Sequence, residues 1–257
     1  MPLNLTAIYT IWLREMIRFF RAKSRVIASF SMPLFFLVFL GLGFNSSFKF
    51  SGLTPGIDYI DFLAPGIIGM ALLFDSLSSG LSVLMDKQFG FLKEIMVAPV
   101  DRLSIVIGKT LGGTTTALIQ GLIILIVASL IGFEVKEVSG LLSSLVFMVL
   151  ISVSFVGIGM IFASKIDDMH GFQLITRLVA FPVFLLSGAF FPSTNLPTWL
   201  RYLHYINPLS YGVDGLRFCL IGTSQFPPIQ DLFVLLGFCI FTMVSGTYFF
   251  SIVEVEG

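Results

Sequence analysis

The chain has 257 residues, 56% hydrophobic and 12% charged, with 15 Lys and Arg against 15 Asp and Glu. Soluble domains carry about a quarter charged residues, so this composition excludes an ordinary soluble enzyme and, with zero net charge, gives no footprint for nucleic acid. Cys219, Cys239, His170 and His204 stand too far apart to suggest a metal site, and the cysteines read as small packing residues.

In chain order, the first 25 residues come before any long apolar run and show no cleavage site of the secretory kind. Leu5, Ile8, Trp12, Met16 and Phe19 recur there at helical spacing, and Arg14, Arg18, Arg21 and Arg25 are expected to project from the other face. That pattern predicts an interfacial helix over 1–25, lying against membrane lipid.

Six apolar runs follow, at about 26–44, 62–84, 105–131, 140–163, 174–191 and 231–253, each near the length a hydrocarbon core requires. They predict an all-α polytopic membrane protein, a single domain over 1–257 with no room for a soluble one. An even number of spans puts both termini on one side. Arg14, Arg18, Arg21, Lys23, Arg25, Lys87, Lys93, Arg102, Lys109, Lys165 and Arg177 fall on that side, against Lys49, Lys136, Arg201 and Arg217 on the other. By the positive-inside rule the termini are cytoplasmic in a cell membrane.

Asp75 is the one acidic residue well inside a predicted span, among Ser76, Ser78 and Ser79. A charge at that depth needs a partner or water. It reads first as an interhelical clamp, protonated or paired with Arg177 of the fifth span, and second as a contact for a transported molecule.

The second and third spans are joined by a charged interlude, 86–104. Phe89, Phe91, Leu92, Ile95 and Met96 form one side of a short helix, with Lys87, Lys93 and Glu94 on the other. Pro99 stops that helix, and Val100-Asp101-Arg102 leads back into the membrane. The expected result is a stiff amphipathic knob. Gly108-Lys109-Thr110 imitates the end of a phosphate-binding loop, but Leu103 stands where the first glycine belongs. The chain is therefore not expected to bind ATP there.

After the fifth run, 192–230 is neither span nor tail. Trp199, Tyr202, Tyr205 and Tyr211 favour the headgroup zone, and short helices dipping into the outer leaflet are expected. No cluster of acidic residues or histidines suggests a catalytic centre.

Two long segments carry a resemblance. GFLKEIMVAPVDRLSIVIGK, ending at Lys109, resembles the cytoplasmic segment of ABC-2 type permeases, especially the daunorubicin-resistance-like branch. LSGAFFPSTNLPTWLRYLHYINPLSYGVDGLR, residues 186–217, is similar to that family's outer segment, and LAPGIIGM at 63–70 adds a third match. Two departures stand out: Ala98 precedes the proline where relatives often carry a small hydroxyl residue, and the tail is acidic.

The resemblance implies that Phe91, Lys93, Glu94, Pro99, Asp101 and Arg102 belong to the segment facing an ATPase subunit, with the amino-terminal helix beside it. It implies that Pro192, Pro197, Asn207, Pro208, Tyr211 and Arg217 form re-entrant helices closing the exit side. It further implies two permease subunits, a homodimer in the simplest case, above two ATPase subunits that hold ATP-Mg, so that no cofactor is bound by the permease itself. The expected function is export of a hydrophobic or amphipathic, drug-like or lipid-like molecule, with Phe35, Phe36, Phe39, Phe74, Phe181 and Phe184 as an aromatic wall. A lipid-linked glycan is the alternative cargo; a secondary transporter or channel would be expected to hold more intramembrane ionisable groups than Asp75.

Overall fold

In the computed structural model the residues described are 3–45, 58–91, 94, 100–136, 138–192 and 197–252. Among them every regular element is a helix: α1 Leu5–Arg21, α2 Lys23–Asn45, α3 Tyr59–Gln88, α4 Arg102–Ile131, α5 Val138–Lys165, α6 Met169–Leu185, α7 Thr198–Ile206, α8 Pro208–Ile221 and α9 Pro228–Ile252. The all-α expectation holds. The centre of the predicted knob, including Lys93 and Pro99, lies outside the described residues.

Five helices, α2 to α5 and α9, are long and apolar enough to cross a membrane. The fifth predicted span is shorter than the apolar run suggested. Asp168 opens α6, its carboxylate accepting from the Gly171 N–H at 2.6 Å, and the helix ends at Leu185. Gly188 then turns the chain at φ 74°, a conformation open to glycine without Cβ strain. The 17 residues of α6 rise about 25 Å, short of a hydrocarbon core of about 30 Å.

α3 is the hub, packed against α2, α4, α5, α6 and α8. Glycines set its closest approaches. A Cβ on Gly80 would overlap the Gly159 carbonyl of α5, and one on Gly159 would sit 2.7 Å from the Leu77 carbonyl oxygen. On the other flank of α5, a Cβ on Gly157 would come within 2.9 Å of the Thr242 carbonyl oxygen on α9. Such small-residue seams let helices meet where apolar lipid gives no drive toward association.

The segment after α6 doubles back into the bundle. Cys219 lies against Gly140 at the start of α5, Gly215 against Phe147, and Gly212 against Ile151. The last pair is 11 residues, about 16 Å, deeper along α5 than the first. Thus α8 begins at depth and climbs to the face where α3 and α5 begin. Together α7 and α8 are the short helices expected between 192 and 230. This face is called the hairpin face below, and the other the α1 face.

Candidate functional site

The ion pairs among the described residues gather at the two ends of the bundle. On the α1 face, Asp86 lies two residues before the end of α3 and is 1% exposed. Its carboxylate accepts both arms of the Arg14 guanidinium, Nη2 at 2.7 Å and Nη1 at 2.9 Å, and a longer bond from Arg18 Nη2 at 3.4 Å. Lys109 Nζ of α4 donates to the same carboxylate, to Glu15 at 2.6 Å and to the Ser82 hydroxyl at 3.3 Å. Bonds in which both partners are ionised are the strong class, and here they tie α1, α3 and α4 together. The Asp86 hydrogen bond is also the main cause that raises the Arg14 pKa above the ordinary arginine value.

Glycine makes this closeness possible. A Cβ on Gly108 would lie 2.9 Å from the Ile11 Cβ, and one on Gly112 would lie 2.8 Å from the Glu15 Cβ. Trp12 adds a bond from its indole Nε1 to the Thr115 hydroxyl at 3.1 Å. The sequence expectation for α1 needs correction here. Arg14 and Arg18 do not project away from the protein; they turn into it, because a buried carboxylate waits on α3. The exposed arc carries Leu5 (77% exposed), Tyr9, Ile17 and Phe20 instead, with Arg21 at its edge. An exposed apolar arc of this kind is what an interfacial helix presents to lipid.

The flanks of the 86–104 segment are fastened too. Phe91 lies under the Arg14 guanidinium, 3.7 Å from ring centroid to Cζ. Glu94 is exposed, and Asp101 occupies the N-cap position of α4 without a side-chain capping bond. Arg102 Nη1 donates to the Ser251 carbonyl at the end of α9. Lys87 pairs with Asp167 at 2.5 Å, joining the end of α3 to the α5–α6 turn. Asp168, in the same turn, is held below the usual carboxylate range by the Gly171 N–H.

Between this network and mid-bundle lies a cavity of about 90 Å³ lined by Arg18, Asp75, Ser79, Ser82 and Lys109, among others. Asp75 at its deep end accepts from the Thr116 hydroxyl of α4 at 2.9 Å. That gives an interhelical bond of the clamp type, made to α4; Arg177 is exposed on α6.

On the hairpin face Arg217 is buried, its Nη2 donating to the carbonyls of Phe62 at 3.3 Å and Gly188 at 3.2 Å, with Phe62 stacked 3.9 Å beneath it. It therefore pins α8 to the start of α3 and to the turn after α6. Asn207 caps α8 by accepting from the Leu209 N–H and donates to the Val183 carbonyl at 2.6 Å, with Pro208 at the first helical position. Tyr211 donates to the Tyr205 carbonyl at 2.7 Å. Pro197 occupies the N-cap position of α7, and Pro192 is buried just before it. Asp214 accepts from the N–H groups of Gln225 and Phe226, holding the α8–α9 loop. His204 contacts the Leu186 carbonyl oxygen and the Ser210 hydroxyl, and burial pushes its pKa down.

Of the expected aromatic wall, Phe184 is fully buried and packs on Phe74 and Phe190, whereas Phe35, Phe39 and Phe181 are exposed. Asp86 and Glu15 were not singled out from sequence, and Lys109 was read as a cytoplasmic-side charge and as the end of a false phosphate loop, not as their partner. No group of three or more metal-ligating side chains occurs among the described residues.

The profile of the ABC-2 type transporter family matches residues 6–221, from α1 through α8. The inner membrane transport permease YadH of Escherichia coli K12 is 29% identical over 246 residues, 93% of this chain and 93% of that one. The putative transport permease ycf38 of Pyropia yezoensis is 30% identical over 213 residues, 80% of this chain and 70% of its own length. The probable multidrug ABC transporter permease YbhR of E. coli is 28% identical over 162 residues, 63% of this chain and 44% of its own. With five helices able to span a bilayer and a family match over most of its length, the chain is a multi-pass membrane protein that belongs to the ABC-2 type transporter family.

Proposed function

We propose that this chain is the membrane subunit of an ATP-driven exporter, with its α1 face in the cytoplasm and docked on a separate ATPase subunit that holds ATP-Mg. Two copies of each subunit would form the working unit. The observation that carries this reading is the Asp86 network, since it joins α1, the start of the 86–104 segment through Phe91, and the ends of α3 and α4. A push on any one of these is passed to long helices instead of being absorbed by a loose surface element. Transport would follow from two arrangements of those helices that ATP binding favours unequally.

The cargo proposed is hydrophobic or amphipathic. The exposed aromatic face of α2, where Phe35 and Phe39 stack at 4.3 Å, favours this class. The word multidrug in the name of the YbhR relative points the same way.

Co-expression with a co-encoded ATPase tests the docking. Glu94 is exposed, so Glu94→Lys is expected to leave folding within about 0.5 kcal/mol of the parent. It should nevertheless reduce recovery of the ATPase in pull-down and its stimulation by the permease. Unchanged association and stimulation would refute docking through this segment.

A further inference from the structure

We infer that the cavity beside Arg18 is a binding site for the phosphate of an anionic phospholipid headgroup. This goes beyond the transport reading, and rests on the membrane embedding of the chain without needing an ATPase.

Charge comes first. Within the ion network Arg14, Arg18 and Lys109 carry three positive charges against two on Asp86 and Glu15, a local excess of one; the cavity's other carboxyl, Asp75, lies about 10 Å from Ser82 along α3. The excess falls on Arg18. Its one ion pair is the 3.4 Å contact to an Asp86 oxygen that Arg14 already holds at 2.7 Å. Its other terminal nitrogen, Nη1, is enclosed and has no hydrogen-bond partner among the described residues. An enclosed guanidinium nitrogen with nothing to donate to is costly, and an oxyanion is its natural complement.

The walls supply the remaining donors. Arg18 shares the cavity with Ser78, Ser79 and Ser82. The Ser82 hydroxyl accepts from Lys109, Ser79 donates its proton to the Ser76 carbonyl at 2.6 Å, and Ser78 is exposed, so Ser82 and Ser78 are the hydroxyls that can donate to a ligand. A guanidinium with hydroxyl donors suits a tetrahedral phosphate ester. Asp75, seven residues and about 10 Å further along α3 from Ser82, also lines the cavity but accepts from the Thr116 hydroxyl and offers an anion no cationic donor, so the phosphate belongs at the Arg18 end.

Location selects a lipid over a free ion. The rim includes Phe19 and Ala22, at the elbow between α1 and α2. The exposed arc of α1, with Tyr9, Ile17 and Phe20, puts that elbow at the level of the headgroups, and Ile27 of α2, 69% exposed, continues an apolar track along which acyl chains can lie.

The test uses the full chain, purified in mild detergent and titrated with phosphatidylglycerol or phosphatidylcholine, with bound lipid counted by native mass spectrometry. One phosphatidylglycerol per chain is expected to bind, with phosphatidylcholine weaker. Arg18→Gln should lower phosphatidylglycerol affinity about tenfold or more, whereas Lys23→Gln, outside the cavity, should change it less than twofold. If Arg18→Gln fails to fold, Ser82→Ala is the replacement, expected to weaken binding severalfold. Equal binding of the two lipids, or phosphatidylglycerol affinity indifferent to both cavity variants, would overturn the site. Inorganic phosphate that competes with the lipid at similar concentration would show a free-anion site and overturn the lipid assignment.

Discussion

Replacing Asp86 by alanine removes the one carboxylate that Arg14, Arg18 and Lys109 share. Breaking a buried ion pair from one side costs about 3–5 kcal/mol, because the partner charges stay buried. Two features pull the figure to the low end: Lys109 keeps Glu15, and Arg14, with a side chain 31% exposed, can be rehydrated. About 3 kcal/mol corresponds to roughly a hundredfold shift toward an undocked α1. Hydrogen exchange over residues 5–21 of the purified permease reads this directly, as loss of amide protection in α1 while α3 and α5 keep theirs. The double variant Asp86→Asn with Lys109→Met removes one charge of each sign and should restore part of the protection. Unaltered α1 exchange in Asp86→Ala would mean that the network does not hold the helix, and the proposed route of force into α3 would fall with it.

Gly140→Ala places a methyl into the Cys219 carbonyl, an overpacking worth about 1–3 kcal/mol; Gly43→Ala meets nothing within 4 Å and serves as its control. The first should lower the Tm of the detergent-purified protein and the second should leave it unchanged; equal Tm values would refute the close packing of α8 on α5. His204 titrates in the fold below its ordinary value of 6.5, with burial as the first cause and the charge of Arg217 adding to it. Its contribution is therefore whole above pH 6.5 and is lost as pH falls through the folded value. Amide protection of α7 and α8 should drop on acidification more in the parent than in His204→Gln, and equal profiles would contradict this.

The long helices were legible because apolar runs of bilayer length leave few alternatives, and the aromatic composition of 192–230 pointed to the short helices there. The end of α6 was not. FPVFLLSGAFF stays apolar past Leu185, so hydropathy continued the span to 191, while the stop is set by the backbone turn at Gly188. Arg14 and Arg18 misled for a different reason. A basic residue on an amphipathic helix reads as solvated unless its counter-charge is in view, and Asp86 is 72 residues away from Arg14 in sequence. Asp86 itself looked like a flank of the charged interlude, being two residues from the helix end. One signal could have pointed to the contact: Gly108 and Gly112, one turn apart and on either side of Lys109, mark a groove that a second helix can enter.

The glycine contact between α3 and α5 sets a lever ratio. Where Gly80 meets Gly159, backbone lies against backbone with no side chain between, which makes this crossing a reference point for a tilt of α3. From Gly80 to Asp86 the arm is six residues, about 9 Å; from Gly80 to Phe62 it is eighteen, about 27 Å. A tilt that displaces the charged end by about 1 Å therefore sweeps the Phe62 end by about 3 Å, the arm's length multiplying the stroke threefold. The Phe62 carbonyl is where Arg217 grips α3, so the short arm ends in the ion network and the long arm ends against α8.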